Sequence, residues 1–549
     1  MCAVGDRRCP VQVTATDRLL GPDRQTRTMS HGTTGSGDDC STEDANTGSG
    51  SRSGSGSASG SASASSSDAA FEFEVVPETD QSFENALSNA RDGRRLSVAD
   101  GIELLTTGTD VDGIDPARKE QVLELADRRR AEVVGDEVTF VANVNNNVTT
   151  ACNTGCLFCN FKDPAAAFER DADAGDLEFD PEDRAFTKTP AQSRAIVEDA
   201  VDRGVYEVCS VSGLHPAFAL DEEHREVLAA HDRPERVNYR PPEAYVTSPG
   251  TYVEQLRAMN VGGVHVHSMT PEEAYHARRG TDWDYEAVYR RLRDAGLDSA
   301  PGTAAEILVD EVRDVICPGK ITSGEWIEAM EGAVAAGLDV TATIMYGHVE
   351  NEAHRIRHLE RIRDLQDRTG GITEFVPLSF VHERTPLYDR GLVDGGATDD
   401  EDELLIAVSR LFLDNVENVQ TSWVKFGDEK ALKTLNCGAN DFMGTILSEE
   451  ITTRAGGSHG QFRSFDDYVE MVTAIGRVPA ERSTDYRTVR RIDPDDGPHG
   501  PTLGPRADGT PLLDDDGSRS RNRDRDRDRD REGAGGGRPV AGTDAGADD

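Results

Sequence analysis

Apolar residues fall along this chain in two alternating rhythms. Short runs rich in β-branched and aromatic residues, at 138–144, 207–211, 264–267, 297–300, 340–345, 374–380, 419–424 and 441–446, read as strands. Between them lie stretches whose apolar positions recur every three or four residues, at 190–203, 285–295, 323–336, 353–368 and 402–414, and these read as helices. Upstream, Ser97-x-x-Asp100 has the form of a capping box, and Asp115-Pro116 opens a helix that sets Val122, Leu123, Leu125 and Ala126 on one face. Strands separated by helices make a parallel sheet the economical topology, and eight of them are enough to close a barrel. The pattern predicts an α/β fold, a (β/α)8 TIM-like barrel over 138–490, preceded by an N-terminal helical segment at 82–137.

Both ends lack this rhythm. Residues 1–81 contain a Gly/Ser run at 48–67 and few apolar clusters, too little to repay chain entropy, so a disordered leader is expected. Either Met1 or Met29 can serve as the start. From 491 onward the chain turns acidic and rich in Gly and Pro, then alternates Arg with Asp at 521–531, which predicts a solvated, disordered tail.

Charge narrows the class. Asp and Glu number 102 against 59 Lys and Arg, for a net charge of −43, which repels nucleic acid. Only seven of the basic residues are Lys, and acid is dispersed through the whole folded region. Concentrated salt screens the self-repulsion of such a surface, so a halophile's cytoplasm is the expected setting. The nine cysteines form no regular framework, which argues against disulfides, and no apolar run approaches the roughly 18 residues of a membrane span.

Candidate chemistry concentrates after the predicted strands, where a barrel places its active site. The run Ala-Cys-Asn-Thr-Gly-Cys-Leu-Phe-Cys at 151–159 follows the first strand. Its Cys-x3-Cys-x2-Cys spacing suits three irons of a 4Fe-4S cluster, with Cys152, Cys156 and Cys159 as ligands and the fourth iron open. A structural zinc site wants four ligands, and after Cys159 the next Cys or His is Cys209, fifty residues on, which leaves a zinc-stabilised, non-catalytic binding protein as the rival from another class. Three cysteines packed as small hydrophobes fit poorly with neighbours Asn153, Thr154, Gly155 and Asn160. His215, His265, His267, His348 and His382 also follow or end strands, where a neutral imidazole can exchange a proton, although a structural hydrogen bond is equally open for each. Arg384 is a candidate carboxylate clamp or a surface ion pair. Trp423 and Phe380 are candidate stacking surfaces or core. Cys209, Cys317 and Cys437 read as free thiols near the barrel wall.

The cysteine loop, with Phe158 before its last cysteine, resembles the signature of radical S-adenosylmethionine enzymes. Further segments, Glu-Val-Cys-Ser-Val-Ser-Gly-Leu-His-Pro at 207–216, Pro-Gly-Thr-Ala-Ala-Glu-Ile-Leu at 301–308, Ile-Cys-Pro-Gly-Lys-Ile at 316–321, Ala-Thr-Ile-Met-Tyr-Gly-His-Val-Glu at 342–350, Glu-Phe-Val-Pro-Leu-Ser-Phe-Val-His-Glu at 374–383 and Cys-Gly-Ala-Asn-Asp at 437–441, resemble the 4-hydroxyphenyl transferase subunit of FO synthase, over about 82–479. The resemblance implies a 4Fe-4S cluster and S-adenosyl-L-methionine as cofactors. It implies transfer of a 4-hydroxybenzyl group from L-tyrosine to 5-amino-6-(D-ribitylamino)uracil, a step toward coenzyme F-420, with 2-iminoacetate, methionine and 5'-deoxyadenosine as by-products. By the same resemblance, Phe158, Ser212 and Gly213 meet the cofactor, Ser212 standing where glycine is usual, and Glu306 accepts from the ribose hydroxyls, unless it only complements a helix dipole. Arg384 and Trp423 become substrate-binding candidates, and His215, His267, His348 and His382 catalytic ones. A single cysteine triplet implies a second FO synthase subunit for the ring-closing step and an electron donor such as ferredoxin or flavodoxin. The futalosine-pathway radical enzymes of menaquinone synthesis share the cluster loop and the Gly-Thr-Ala-Ala-Glu element and are the nearest alternative. Two departures stand out: an apparent insertion at 232–263 and Met443 in the last strand motif.

Overall fold

The computed structural model describes residues 81–109, 113–170, 185–447, 462–495 and 497. The expected leader at 1–81 and tail at 491–549 lie almost wholly outside them.

Seven parallel strands, β2 (Asn143–Asn145), β3 (Glu207–Ser210), β4 (His265–Ser268), β5 (Ser299–Ala300), β6 (Asp339–Tyr346), β7 (Ile372–Ser379) and β8 (Asn418–Val419), pair in chain order. β9 (Asp441–Gly444) joins β8 through a parallel bridge between Gln420 and Asp441 and pairs on its other side with β1 (Glu137–Val141). Because β1 runs on into β2, the ring closes with eight staves. The single strand expected at 138–144 is therefore two, broken at Ala142. Its carbonyl accepts from Tyr206 and Glu207 N–H as the chain changes neighbours.

β6 illustrates how sequence period becomes a barrel wall. Val340, Ala342, Ile344 and Tyr346 are buried toward the helices, while Thr341 and Thr343 alternate with them and bond Gly302, by accepting its N–H and donating to its carbonyl. Helices begin at sharply defined points because Ser97, Thr189, Thr251, Thr270, Thr322, Asn351, Thr398 and Ser464 each form a capping box, worth about 1 kcal/mol apiece. The N-terminal helices Val98–Leu105 and Pro116–Val134 cover the barrel helices Glu352–Thr369 and Asp399–Phe412, and Phe83–Arg91 packs on that N-terminal pair.

Three expectations need correction. The strand expected at 419–424 stops at Val419, and Trp423 opens the helix Trp423–Leu435. The apparent insertion at 232–263 contains the barrel's own connecting helix, Tyr252–Met259, which packs on Pro190–Asp202. Its remainder is stapled down by Arg279, a half-buried side chain that donates to the carbonyls of Val237, His276, Pro216 and Phe218. Two strands beyond the eight were not expected. β10 (Val478–Arg482) lies parallel to β1, and β11 (Val489–Arg491) runs antiparallel to β10. This pair carries Arg482 into the N-terminal end of the barrel, where its Nε bonds Asp441 Oδ2 at 2.5 Å and its Nη2 approaches Glu374 Oε2 at 3.4 Å. Tyr486 donates to the same Glu374 oxygen, and Thr484 donates to Glu207 at 2.5 Å. The bottom of the barrel is plugged by charge, which leaves the opposite mouth for chemistry.

Candidate active site

The loop that leaves β2 is closed on itself before it presents any cysteine. Cys152 N–H donates to the Asp163 carbonyl at 3.0 Å and Asp163 N–H returns to Thr150 at 2.8 Å. Gly155 turns the chain at φ +79°, a conformation glycine reaches without Cβ strain. Two other loops then dock on it. Leu157 N–H donates to Ile316, Leu387 N–H donates to the Leu157 carbonyl, and Gly319 packs so closely that an added Cβ would stand 2.2 Å from the Thr154 carbonyl oxygen.

Cys152 and Cys159 line an open pocket of about 470 Å3 with Asn153, Asn160, Lys162 and Arg384, while Cys156 is buried beside them. Burial raises the thiol pKa of Cys156 and of Cys159, and Lys320 and Lys162 work against that rise at Cys156. Deprotonation therefore needs additional positive charge at the loop, which bound metal provides. Among the described residues no three His, Cys, Asp or Glu side chains converge on a point where one metal ion would sit. Three thiols on one short loop, two lining the pocket and the third buried beside them, fit the donor set of a cluster.

Ser212 and Gly213 are sewn to the strand entering this loop. The Ser212 hydroxyl accepts from Val148 N–H at 2.7 Å, Gly213 N–H donates to Thr149, and a Cβ on Gly213 would stand 2.7 Å from the Ala151 carbonyl oxygen. Serine in place of the usual glycine is thus absorbed by a backbone bond. Glu306 stands at φ +46°, after Ala304 at +84°, and its carbonyl accepts from Met345 N–H. Two non-glycine residues in the left-handed region within one turn are strain of the kind that active sites retain. The Glu306 carboxylate pairs with Lys320 at 2.5 Å, and Lys320 lies 5.5 Å from the Phe158 ring centroid. The structure thus brings Glu306 and Phe158, within the cysteine loop, together through Lys320, which sequence reasoning had not singled out.

The histidines separate. His215 is boxed by Tyr245, Phe218 and Phe168, accepts from Ala217 N–H, and is held neutral by burial, its pKa lowered to about 3; its Nε2 has no hydrogen-bond partner among the described residues. His265 and His267 are not at the mouth. Both bond Ser299 Oγ at 2.7 Å inside the wall, and burial lowers the pKa of His267 to about 4. His348 is engaged at both ring nitrogens, by the Met345 carbonyl and by Val349 N–H and Glu350, which makes it a turn-holding residue. His382 lies two residues from Arg384, which lines the pocket, with its ring 4.9 Å from Tyr388. Trp423 offers no face to a substrate: it is fully buried, donates to the Gly444 carbonyl and is covered by Arg463 at 4.5 Å. Phe380 is buried too, packed edge-on against His348.

Residues 146–362 match the model of the radical SAM superfamily, and residues 369–494 that of the CofH/MqnC C-terminal region. A 5-amino-6-(D-ribitylamino)uracil--L-tyrosine 4-hydroxyphenyl transferase of Haloarcula marismortui is 72% identical over 443 residues, covering 81% of this chain and 97% of the relative. The enzyme of the same name from Halobacterium salinarum is 70% identical, over 81% and 96% of the two chains. The chain belongs to this family of radical SAM transferases. The superfamily implies a 4Fe-4S cluster and S-adenosylmethionine. Membership extends to a more distant relative of that name from Methanospirillum hungatei, 40% identical over 66% of this chain and 88% of the relative. Among solved structures, the [FeFe]-hydrogenase maturase HydG superposes with a TM-score of 0.52 at 13% identity, over 74% of this chain and 79% of its own. Methylornithine synthase does so at 0.50 and 16%, over 72% and 97%. These two support the fold. Among the described residues no helix is long and apolar enough to cross a membrane.

Proposed function

We propose that this chain cleaves L-tyrosine and transfers its 4-hydroxybenzyl group to 5-amino-6-(D-ribitylamino)uracil, making the precursor of the deazaflavin FO of coenzyme F-420. The observation that carries this reading is likeness to the transferases of that name along nearly their whole length. Cys152, Cys156 and Cys159 hold the cluster in this reading. When bound, the cluster and S-adenosylmethionine supply the carbon-centred radical that starts the reaction.

The chain's own residues bind, orient and shield. Phe158, Ser212 and Gly213 flank the loop where the cofactor's methionyl end sits, and small residues there permit close approach. Glu306 accepts from the ribose hydroxyls. Arg384, on the pocket wall beside Cys152 and Cys159, offers a planar fork for the tyrosine carboxylate. His382, on the same loop, is positioned to exchange a proton with the substrate. The plugged barrel bottom keeps bulk water from reaching the radical from below. The chain passes its product to a second FO synthase subunit and takes its electron from a donor of the ferredoxin or flavodoxin kind. A cytoplasmic setting is part of this reading.

Anaerobic incubation of reconstituted protein with both substrates, S-adenosylmethionine and a reductant tests the reading by mass spectrometry. The expected product is a tyrosine-derived adduct of the uracil together with 5'-deoxyadenosine. 5'-Deoxyadenosine without that adduct, or turnover only with a futalosine-type substrate, overturns the substrate assignment.

A further inference from the structure

Lysine is scarce here, seven residues among 59 basic ones, so arginine is the default cation of this chain. Lys320 departs from that default at a buried position. Its Nζ lies 2.5 Å from Glu306 Oε1, and both side chains are 10% exposed. Its place beside the cysteine loop is set by backbone. Lys320 N–H donates to the Cys317 carbonyl at 3.0 Å, the preceding Gly319 abuts Thr154, and the Ile316 carbonyl accepts from Leu157 N–H at 2.8 Å. The ammonium itself faces the ring of Phe158, the residue between the second and third cysteines.

A buried ion pair is a weak stabiliser of a fold, because desolvation of both charges offsets most of their attraction. Its retention points to another role, and the surrounding charges suggest which. Arg313, also buried, directs its donors to the carbonyls of Ile321 and Ala305, and no carboxylate forms a salt bridge with it among the described residues. Glu272, the other carboxyl close by, accepts from Ile321 N–H, and burial raises its pKa toward the neutral form. Lys320 pairs with Glu306 and Arg313 acts on Glu272, so two buried cations stand with these two carboxyls next to a loop that supplies three thiolates to a bound cluster. A compact ammonium concentrates its charge at a point, whereas a guanidinium spreads it over a plane.

We propose that Lys320 is a positioning residue for the cluster: its ammonium fixes the Glu306 carboxylate beside the thiol loop and offsets the thiolate charge, which raises the reduction potential of the bound cluster. The inference rests on the cluster assignment above. An electron added to the cluster is stabilised by a nearby fixed cation and destabilised by a nearby fixed anion, so removal of the two charges shifts the potential in opposite directions.

The test is an EPR-monitored redox titration with dithionite and mediators, without S-adenosylmethionine and in molar KCl, alongside iron and sulfide analysis. For Lys320→Met the ratio of reduced to oxidised cluster at a fixed solution potential is expected to fall about tenfold, equivalent to about 59 mV for a one-electron couple. For Glu306→Gln it is expected to rise, and for Lys320→Arg to stay near the parent value. Potentials of Lys320→Met and Glu306→Gln that equal the parent's, or that move together, overturn the inference. Should Lys320→Met fail to load, Glu306→Gln decides: an unchanged potential there also overturns it. A parent chain that loads no cluster overturns the cluster assignment itself, and this inference with it.

Discussion

Gly319 packs against the cysteine loop with no room for a Cβ, and this yields a sharp prediction for Gly319→Ala. Gly319 has no left-handed φ, so alanine there meets no backbone strain and the substitution isolates one steric event. The new Cβ would stand 2.2 Å from the Thr154 carbonyl oxygen, with the Thr154 carbonyl carbon at 3.3 Å. Ordinary carbon–oxygen contact requires about 3.2 Å or more, so one backbone must retreat by roughly 1 Å. Thr154 lies between Cys152 and Cys156, and its hydroxyl is 3.2 Å from the Cys152 sulfur, so the displacement falls on the thiols directly. Overpacking of this kind costs about 1–3 kcal/mol in stability, and a misplacement near 1 Å at a reacting centre costs about 100-fold in rate. The assay pairs iron and sulfide content with the rate of 5'-deoxyadenosine formation and a thermal melt in molar KCl. The expected outcome is a modest loss of melting temperature with a disproportionate loss of cluster or of rate. A variant that keeps full iron content and the parent rate would refute the claim that 316–320 positions the loop.

Three other outcomes follow from buried groups. Arg482→Met leaves the Asp441 and Glu374 carboxylates at the barrel bottom without their cation, and should lower unfolding free energy by about 3–5 kcal/mol in denaturant titration. Burial raises Glu273 to about pH 7, so the folded state binds a proton that the unfolded state has released between pH 4.5 and 7. That contribution to stability is full below pH 4.5 and is lost as pH rises to 7; Glu273→Gln, which keeps the acceptor for Thr270, should flatten this part of the pH–stability profile by about 3 kcal/mol. Trp423→Phe removes the N–H donated to Gly444 and should reduce stability by about 1–2 kcal/mol while leaving the KM for both substrates unchanged; a raised KM would return Trp423 to the substrate site.

Where the sequence was legible, a local pattern and a global constraint agreed. Period-two apolar runs followed by capped helices can bury their faces only as a parallel sheet with covering helices, so the barrel and the position of its mouth were readable. The cysteine triplet was readable because its spacing is itself the chemistry. Illegible were features set by contacts distant in sequence. Trp423 reads as a strand end because Val419, Val424 and Phe426 are apolar around it, yet the strand ends once Gln420 meets Asp441, and Trp423 is the first residue of a helix instead. The histidines fit a pattern of strand ends, but which imidazole reaches the pocket depends on partners such as Ser299 and Glu350, which no local signal names. β10 carries Val478 and Pro479 with the charged Glu481 and Arg482, and reads as a surface segment until the carboxylates of β7 and β9 are placed around Arg482.

The same charge economy ties the surface to the site. An acidic exterior is tolerable in concentrated salt because the Debye length falls to about 3 Å at 1 M, too short for surface carboxylates to act on one another over their usual spacing. Salt does not reach groups sealed from solvent. Lys320, Arg313 and Arg482 therefore act through full local fields, Lys320 on Glu306 and Cys156, Arg313 on Glu272, and Arg482 on Asp441 and Glu374. It follows that changes at exposed pairs such as Arg95 with Asp367 should fade as salt is raised, whereas changes at these buried cations should persist. Comparing melting temperatures of Arg95→Gln and Arg482→Met at low and molar KCl separates the two classes, since a loss at Arg482 that vanished with salt would mean that water and ions enter the barrel bottom.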